Sequence, residues 1–286
     1  MRNPLVPSFA PSPQESIVLS YEETRVALAP ARGGMATQFF VGERPVFYLD
    51  HETLLDLSKN VRGGNPVLFP SPGKLEGDRF AFGTHEGAMG QHGFARNQTF
   101  EVQEVGPAHA VLRLVWGPGN AAAFPWPCTL VLRYTLGAAT LRIEQEITND
   151  GSLPMPFGFG FHPYFYVPAA SKSHARVPTQ ATRAFDNTRK QEIALGPIDF
   201  GAGEVDLHLI DHGRPDASLV LSDGRSVHLS CSPEYQRWVL WTLPDRDFIC
   251  VEPWTCPGNA LNTRQDLLTL PPGETKALSV QVSLLD

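Results

Sequence analysis

Residues Met155–Val167 read MPFGFGFHPYFYV, and their alternation is the first guide to the fold. Successive side chains on an extended strand point to opposite faces, so Phe157, Phe159, Phe161 and Phe165 share one side. Gly158, Gly160, His162 and Tyr164 share the other. One face is apolar enough to enter a core, while the other is stripped bare and then presents an imidazole. Glycine within a strand marks close approach of a ligand or another backbone, so the bare positions read as the floor of a pocket with His162 beside it. Pro163 reads equally well as the end of an edge strand.

The same period extends outward in both directions. Leu130, Leu132 and Tyr134 alternate with polar or smaller neighbours up to the Gly137-Ala138-Ala139 turn. Leu141, Ile143, Gln145 and Ile147 then alternate with Arg142, Glu144, Glu146 and Thr148, predicting a hairpin with one wet face. Asn149-Asp150-Gly151 turns the chain into the Phe/Gly stretch. Downstream, Asp223-Gly224 predicts a two-residue hairpin loop between Ala217–Leu221 and Ser226–Ser230. The C-terminal LSVQVSLL alternates again, with Leu278, Val280, Val282 and Leu284 in step. Many short strands divided by turns predict an all-β fold, a large antiparallel sandwich. Glu52–Lys59 is a candidate short helix. Residues 1–15, broken by prolines, predict a loose N-terminal arm, and 16–286 a single domain, with no fixed-period repeat or linker to divide it.

Composition narrows the function classes. Of 286 residues, 42% are hydrophobic and 19% charged, and the net charge is −7, a globular profile. Without a cluster of Lys and Arg, nucleic acid and anionic membranes are poor partners. The first residues lack the apolar run of a secretory signal, and no stretch reaches transmembrane length. Cys128, Cys231, Cys250 and Cys256 form no paired spacing, predicting buried free thiols and a cytoplasmic setting.

Three segments carry candidate chemistry. Arg62 precedes Gly63-Gly64, where a tight bend lets a long cation swing into a cleft. In QHGFAR, an extended conformation places His92, Phe94 and Arg96 on one face. In FICVEPW, Ile249 and Val251 point one way and Cys250, Glu252 and Trp254 the other, and Pro253, which cannot donate to a ladder, predicts that the strand stops at the glutamate. A carboxylate at a strand end beside tryptophan suits a sugar, whose C–H face stacks on the ring while its hydroxyls donate to the oxygens. Each reading has a plainer counterpart. His92 and His162 also read as core histidines, Glu252 as half of a structural ion pair with Arg62 or Arg96, and Trp238 and Trp241 as core. A metal is not predicted, because His85, Glu86, His92, His162 and Glu252 match no ligand spacing. GxSxG and a phosphate-binding loop are absent.

RGGNPVLFP, QHGFAR, GFHPYF and VEPW, in this order from Arg62 onward, resemble the aldose 1-epimerase (galactose mutarotase-like) superfamily. QHGFAR is most similar to its branch of hexose-6-phosphate 1-epimerases and related bacterial proteins. The resemblance implies an antiparallel β-supersandwich and a cofactor-free, metal-free interconversion of the α and β anomers of a hexose or hexose 6-phosphate. It implies Glu252 as general base on the C1 hydroxyl, His162 as general acid on the ring oxygen, and His92 as a second histidine steadying charge there. Arg62 and Arg96 would bind substrate or orient those groups. The family's hydroxyl-binding aspartate matches Asp206, with Asp186 and Asp211 competing. Asn65 departs from the branch pattern, as does the insertion KLEGDRFAFGTHEGAMG, which is expected to border the cleft.

The chemistry fits these residue types independently, since anomerisation takes one proton from O1 and gives one to O5. Arg62, Lys74 and Arg96 would suit a phosphate, yet arginine also serves free sugars. Two other readings share the scaffold. One is a non-catalytic carbohydrate-binding or sugar-sensing protein, against which the three retained groups argue. The other is a glycosidase, which needs a second carboxylate, such as Asp206, at a fixed distance from Glu252.

Overall fold

The computed structural model describes residues 6–120 and 122–286. Every pairing between its named strands is antiparallel, and three sheets carry most of the chain. The longest hairpin is the predicted one, Cys128–Gly137 with Thr140–Asn149, turning at Ala138-Ala139. Leu141, Ile143, Gln145 and Ile147 are buried as the alternation requires. The one polar member, Gln145, accepts a hydrogen bond of 2.9 Å from the buried Tyr235 hydroxyl, which offsets the cost of its burial. This hairpin sits inside a seven-stranded sheet, with His109–Trp116 and Glu101–Val105 to one side and Thr275–Leu285, Ser226–Cys231 and Asp216–Val220 to the other.

The second large sheet has eight strands. From one edge they run Gln191–Ala194, Arg183–Asp186, Val205–Leu209, Arg237–Thr242 and Phe248–Trp254. Gly160–Phe161, Val67–Leu68 and Tyr164–Tyr166 complete it. Ile249, Val251, Trp238, Leu240, Phe161 and Phe165 face the main core together with Leu132, Ile143 and Val280 of the first sheet. A third sheet, Ile17–Tyr21, Thr24–Ala29, Met35–Val41 and Arg44–Pro45, contributes Leu19, Val26, Leu28 and Phe39 to that core.

The Phe/Gly stretch departs from the single strand expected. It forms three short pieces, Met155–Phe157, Gly160–Phe161 and Tyr164–Tyr166, of which the first pairs with Leu268–Leu270 and the others with Phe248–Trp254. Its core face is as predicted, because Phe157, Phe159, Phe161 and Phe165 all enter the main core. The loop at Asp223-Gly224 spans three residues rather than two, since Leu221 N donates to Arg225 O and Gly224 takes the positive φ of 90°. The short helix is His51–Leu55, capped by the Asp50 carboxylate on Thr53 N at 3.2 Å.

Residues 6–15 of the arm expected to be loose are tied to the third sheet. Phe9 packs edge-on against Phe40 at 5.5 Å. The buried Glu15 carboxylate accepts from the Thr37 hydroxyl and the Gln38 amide at 2.5 and 2.7 Å. Met1–Leu5 lie outside the described residues. Cys128, Cys250 and Cys256 are buried and unpaired, and Cys231 is half-buried. Among the described residues no helix is long and apolar enough to cross a membrane.

Candidate active site

The outer face of the eight-stranded sheet is unlike its core face. Two small apolar clusters lie on it, one of Leu68, Val239 and Trp254, the other of Tyr164, Phe248 and Cys250 backed by Tyr48, Trp241 and Leu243. Glu252 falls between them, one alternation step from Cys250 on one side and from Trp254 on the other; the strand does not stop there as expected but pairs on through Pro253 to Trp254. Strand register then determines what it meets. Gly160 pairs with Trp254 and Tyr164 with Cys250, so His162 falls opposite Glu252. Its Nε2 lies 3.4 Å from Glu252 Oε1.

Both groups are withdrawn from water. Glu252 is 1% exposed and the His162 side chain 12%. Burial raises the Glu252 carboxyl well above the usual range, with the charge of Asp206 adding to it and the Trp254 indole N–H, 3.2 Å from Oε2, opposing it. Burial likewise holds His162 well below 6.5, aided by the neighbouring His92 and Arg96. The imidazole stacks on Tyr164 at 4.7 Å and meets Trp241 edge-on at 5.5 Å, while its Nδ1 has no partner among the described residues. Trp241, expected in the core, thus lies on the outer face, because it pairs with Cys250 and Asp206 rather than stepping with Trp238.

The bare glycine positions turn out to be covered. A Cβ on Gly160 would meet Pro72 Cβ and Trp254 Cδ1, both at 2.8 Å, and one on Gly158 would meet Cys256 Sγ. The glycines therefore admit the Pro70–Gly73 loop, not substrate. That close approach positions His92, whose Nδ1 bonds Pro72 O. A carbonyl can only accept, so the proton sits on Nδ1 and Nε2 is left as acceptor, 3.2 Å from the Gln91 amide nitrogen. The His92 and His162 rings meet edge-on at 5.5 Å. Burial, with Arg96 nearby, lowers His92 to about 4.

QHGFAR is not extended. His92 and Gly93 both take positive φ, 72° and 74°, and Ala95–Asn97 form a short 3-10 turn. Phe94 consequently leaves the expected common face and stacks on Trp116 in the core at 3.5 Å. Arg96 donates through Nη2 to Gln91 O at 2.8 Å, and its Nε is buried without a partner among the described residues. Arg62 is exposed, and no ion pair joins it or Arg96 to Glu252 among the described residues. Its backbone is held instead, with Arg62 N on Thr53 Oγ1 and Asp50 N on Arg62 O. Gly63 and Gly64 are required there because a Cβ on either would strike the backbone of Leu49 or Ala36 at 2.5 Å. Trp254 is 3% exposed, so it offers no open face, and it meets the site through its indole N–H on Glu252.

Register also separates the three aspartates. Asp206 pairs with Trp241 and faces outward, accepting from Asn187 Nδ2 at 2.6 Å with His208 Nε2 3.3 Å away. Asp186 pairs with Leu207 on the opposite face and accepts from Thr188 and Arg189. Asp211 is occupied by Thr182 and Arg183. His208, two residues beyond Asp206 and therefore on its face, meets Trp254 edge-on at 5.3 Å. The alternation in VDLHL could have found it, whereas only three-dimensional pairing places Asn187 beside it. A cavity of about 610 Å³ borders this assembly, lined by Lys74, Asp78, Met89, Gln91, Arg96 and Asn97 among others. The inserted segment forms its wall through Asp78 and Met89.

Comparison with known proteins bears on the whole chain. The Slr1438 protein of Synechocystis sp. PCC 6803 superposes with a TM-score of 0.91 at 34% identity, covering 100% of this chain and 99% of that one. A galactose mutarotase-like protein from Lactobacillus casei ATCC 334 shares the fold, with a TM-score of 0.76 at 22% identity over 94% of this chain and 99% of its own. A Cenchrus ciliaris protein named as a candidate glucose-6-phosphate 1-epimerase is 27% identical over 294 residues, 92% of this chain and 83% of its own length. The sequence profile of aldose 1-epimerases matches residues 49–283, a span containing His92, His162 and Glu252, and the chain therefore belongs to the aldose 1-epimerase family, as an epimerase-type isomerase of carbohydrates.

Proposed function

We propose that this protein interconverts the α and β anomers of a hexose, with Glu252 and His162 as its acid–base pair. One observation carries the reading: a buried carboxyl and a buried imidazole face each other at 3.4 Å with their proton affinities displaced in opposite senses. Such a pair titrates as a unit. Carboxylic acid with neutral imidazole, and carboxylate with imidazolium, differ only in the position of one proton. Neither form adds net charge to the buried site.

A sugar placed between the two groups would use that proton. Glu252 as carboxylate takes the proton of the C1 hydroxyl, C1=O1 forms, and the C1–O5 bond breaks as O5 receives the proton of His162. Rotation about C1–C2 presents the other face of the aldehyde. Closure then returns a proton from Glu252 to O1 while His162 recovers the one on O5. His92 Nε2, an acceptor in the tautomer fixed by Pro72, would hold a sugar hydroxyl rather than donate to the ring oxygen. Asp206 and His208 would bind hydroxyls from across Val239, and Trp254 would keep the Glu252 oxygen in place.

The cavity beside Arg96 supports a hexose 6-phosphate within this class. Lys74 and Arg96 line it against the single carboxylate of Asp78. The name of the Cenchrus ciliaris relative points the same way. Anomer exchange by NMR on glucose, galactose and their 6-phosphates is the test. Wild type should accelerate exchange and Glu252→Gln should not, while still binding sugar. Acceleration retained in Glu252→Gln would remove Glu252 as base. Bound sugar without acceleration by wild type would mark a binding protein.

A further inference from the structure

One buried donor beside the acid–base pair takes no part in that mechanism. Cys250 lies two residues before Glu252 on the Phe248–Trp254 strand, so the alternation that turns Glu252 outward turns the sulfur the same way. One ligand atom from each of His162, Cys250 and Glu252 lies within 4.8 Å of the other two. Imidazole, thiolate and carboxylate are the donors that zinc takes. With bonds of about 2.0–2.3 Å, a tetrahedral ion sets its ligand atoms roughly 3.3–3.8 Å apart. His162 and Glu252 already stand at 3.4 Å, and the sulfur needs to close by about 1 Å at most to reach that range. The unpartnered Nδ1 leaves the His162 ring without a hydrogen bond that would hold it against such an adjustment.

We infer that His162, Cys250 and Glu252 form an inhibitory site for a thiophilic divalent cation of the zinc class. This rests on the acid–base reading above, because the ion takes as ligands the two groups that move protons. Binding releases the Cys250 thiol proton and the proton shared by the pair to solvent, leaving thiolate, carboxylate and neutral imidazole on the metal. Three protein ligands leave a fourth position for water or a sugar oxygen. The ion would enter past His162, the one member that retains exposure.

Cobalt(II) added to the full chain is the probe, because a thiolate ligand gives a near-ultraviolet charge-transfer band that is read without any activity. The band should appear in wild type, persist in Cys231→Ser and vanish in Cys250→Ser, with Cys250→Ala as the second variant should serine disturb the apolar cluster. Zinc should slow anomer exchange by wild type at least tenfold, reversibly with chelator, and leave the Cys250 variants at their own unchanged rate. No band, or a band that follows Cys231, means an adventitious ion only and overturns the site. A band that depends on Cys250 while exchange continues at full rate overturns the inhibition, and it strikes the acid–base reading rather than the ion site.

Discussion

Each buried ionisable group at the centre of this site is held by a different neighbour. His162 has its ring stacked on Tyr164 and its Nε2 3.4 Å from Glu252 Oε1. His162→Asn should lower the exchange rate by about 10²–10⁴-fold, the usual contribution of one general acid, and an unchanged rate in the NMR assay would place the acid elsewhere. His92 answers to pH through stability. Buried and neutral, it faces Arg96, His162, His208 and Asp206, and its proton affinity falls from 6.5 to about 4. The unfolded chain therefore binds a proton that the folded one refuses. Its share of stability is complete above about pH 6.5 and drains away as pH falls towards 4, a change of roughly 3 kcal/mol. His92→Asn keeps a donor for Pro72 O and tolerates the positive φ, so urea unfolding of this variant should lose that much of the pH dependence. Equal dependence in variant and wild type would refute the account.

At the scale of the element, the Phe/Gly stretch shows what a sequence of alternating residues can and cannot tell. Its period identified the core face, Phe157 to Phe165, because a two-residue repeat survives interruptions of the ladder. The same repeat carries no record of what lies across it, and the glycines meant for a pocket floor proved to be a seat for Pro72 and Trp254. Glu252 and His162 were readable as outward residues of two strands, and their encounter needed only the register between them. QHGFAR was misread because extension was assumed where two consecutive residues take positive φ, a conformation that His92 does not advertise. Gly160→Ala follows from the corrected picture. The added methyl would press on two rigid side chains at 2.8 Å, an overpacking that typically costs about 1–3 kcal/mol. The denaturation midpoint should fall accordingly, and with it His92 should lose its fixed position. A variant as stable as wild type would mean that the loop gives way freely.

For the molecule as a whole, the two large sheets divide the work. The first contributes a hairpin and its neighbours to the core, and the second uses one face for that core and carries Glu252 and His162 on the other. That division was legible as an antiparallel sandwich, because more and less buried residues alternate along Cys128–Gly137 and Thr140–Asn149 and along much of Thr275–Leu285. The edges of the fold were less legible. The proline-rich arm was read as loose because its anchors, Phe9 and Glu15, act on Phe40, Thr37 and Gln38 more than twenty residues away, and no local pattern announces such a pairing. Asn187 joined Asp206 for the same reason, across nineteen residues of chain, whereas His208 was within reach of the alternation in VDLHL.

The depth of Glu252 has a kinetic corollary. A carboxyl 1% exposed is beyond the reach of a sugar arriving by diffusion, so capture must wait for the protein to breathe. Trp241 touches His162 and Trp254 touches Glu252, and both would report an opening through their fluorescence. In stopped-flow mixing, the observed rate should climb with sugar concentration and then level off at the opening rate, the signature of a first-order step that gates a second-order one. A rate that rises linearly without limit would mean that the site stands ready before the sugar arrives.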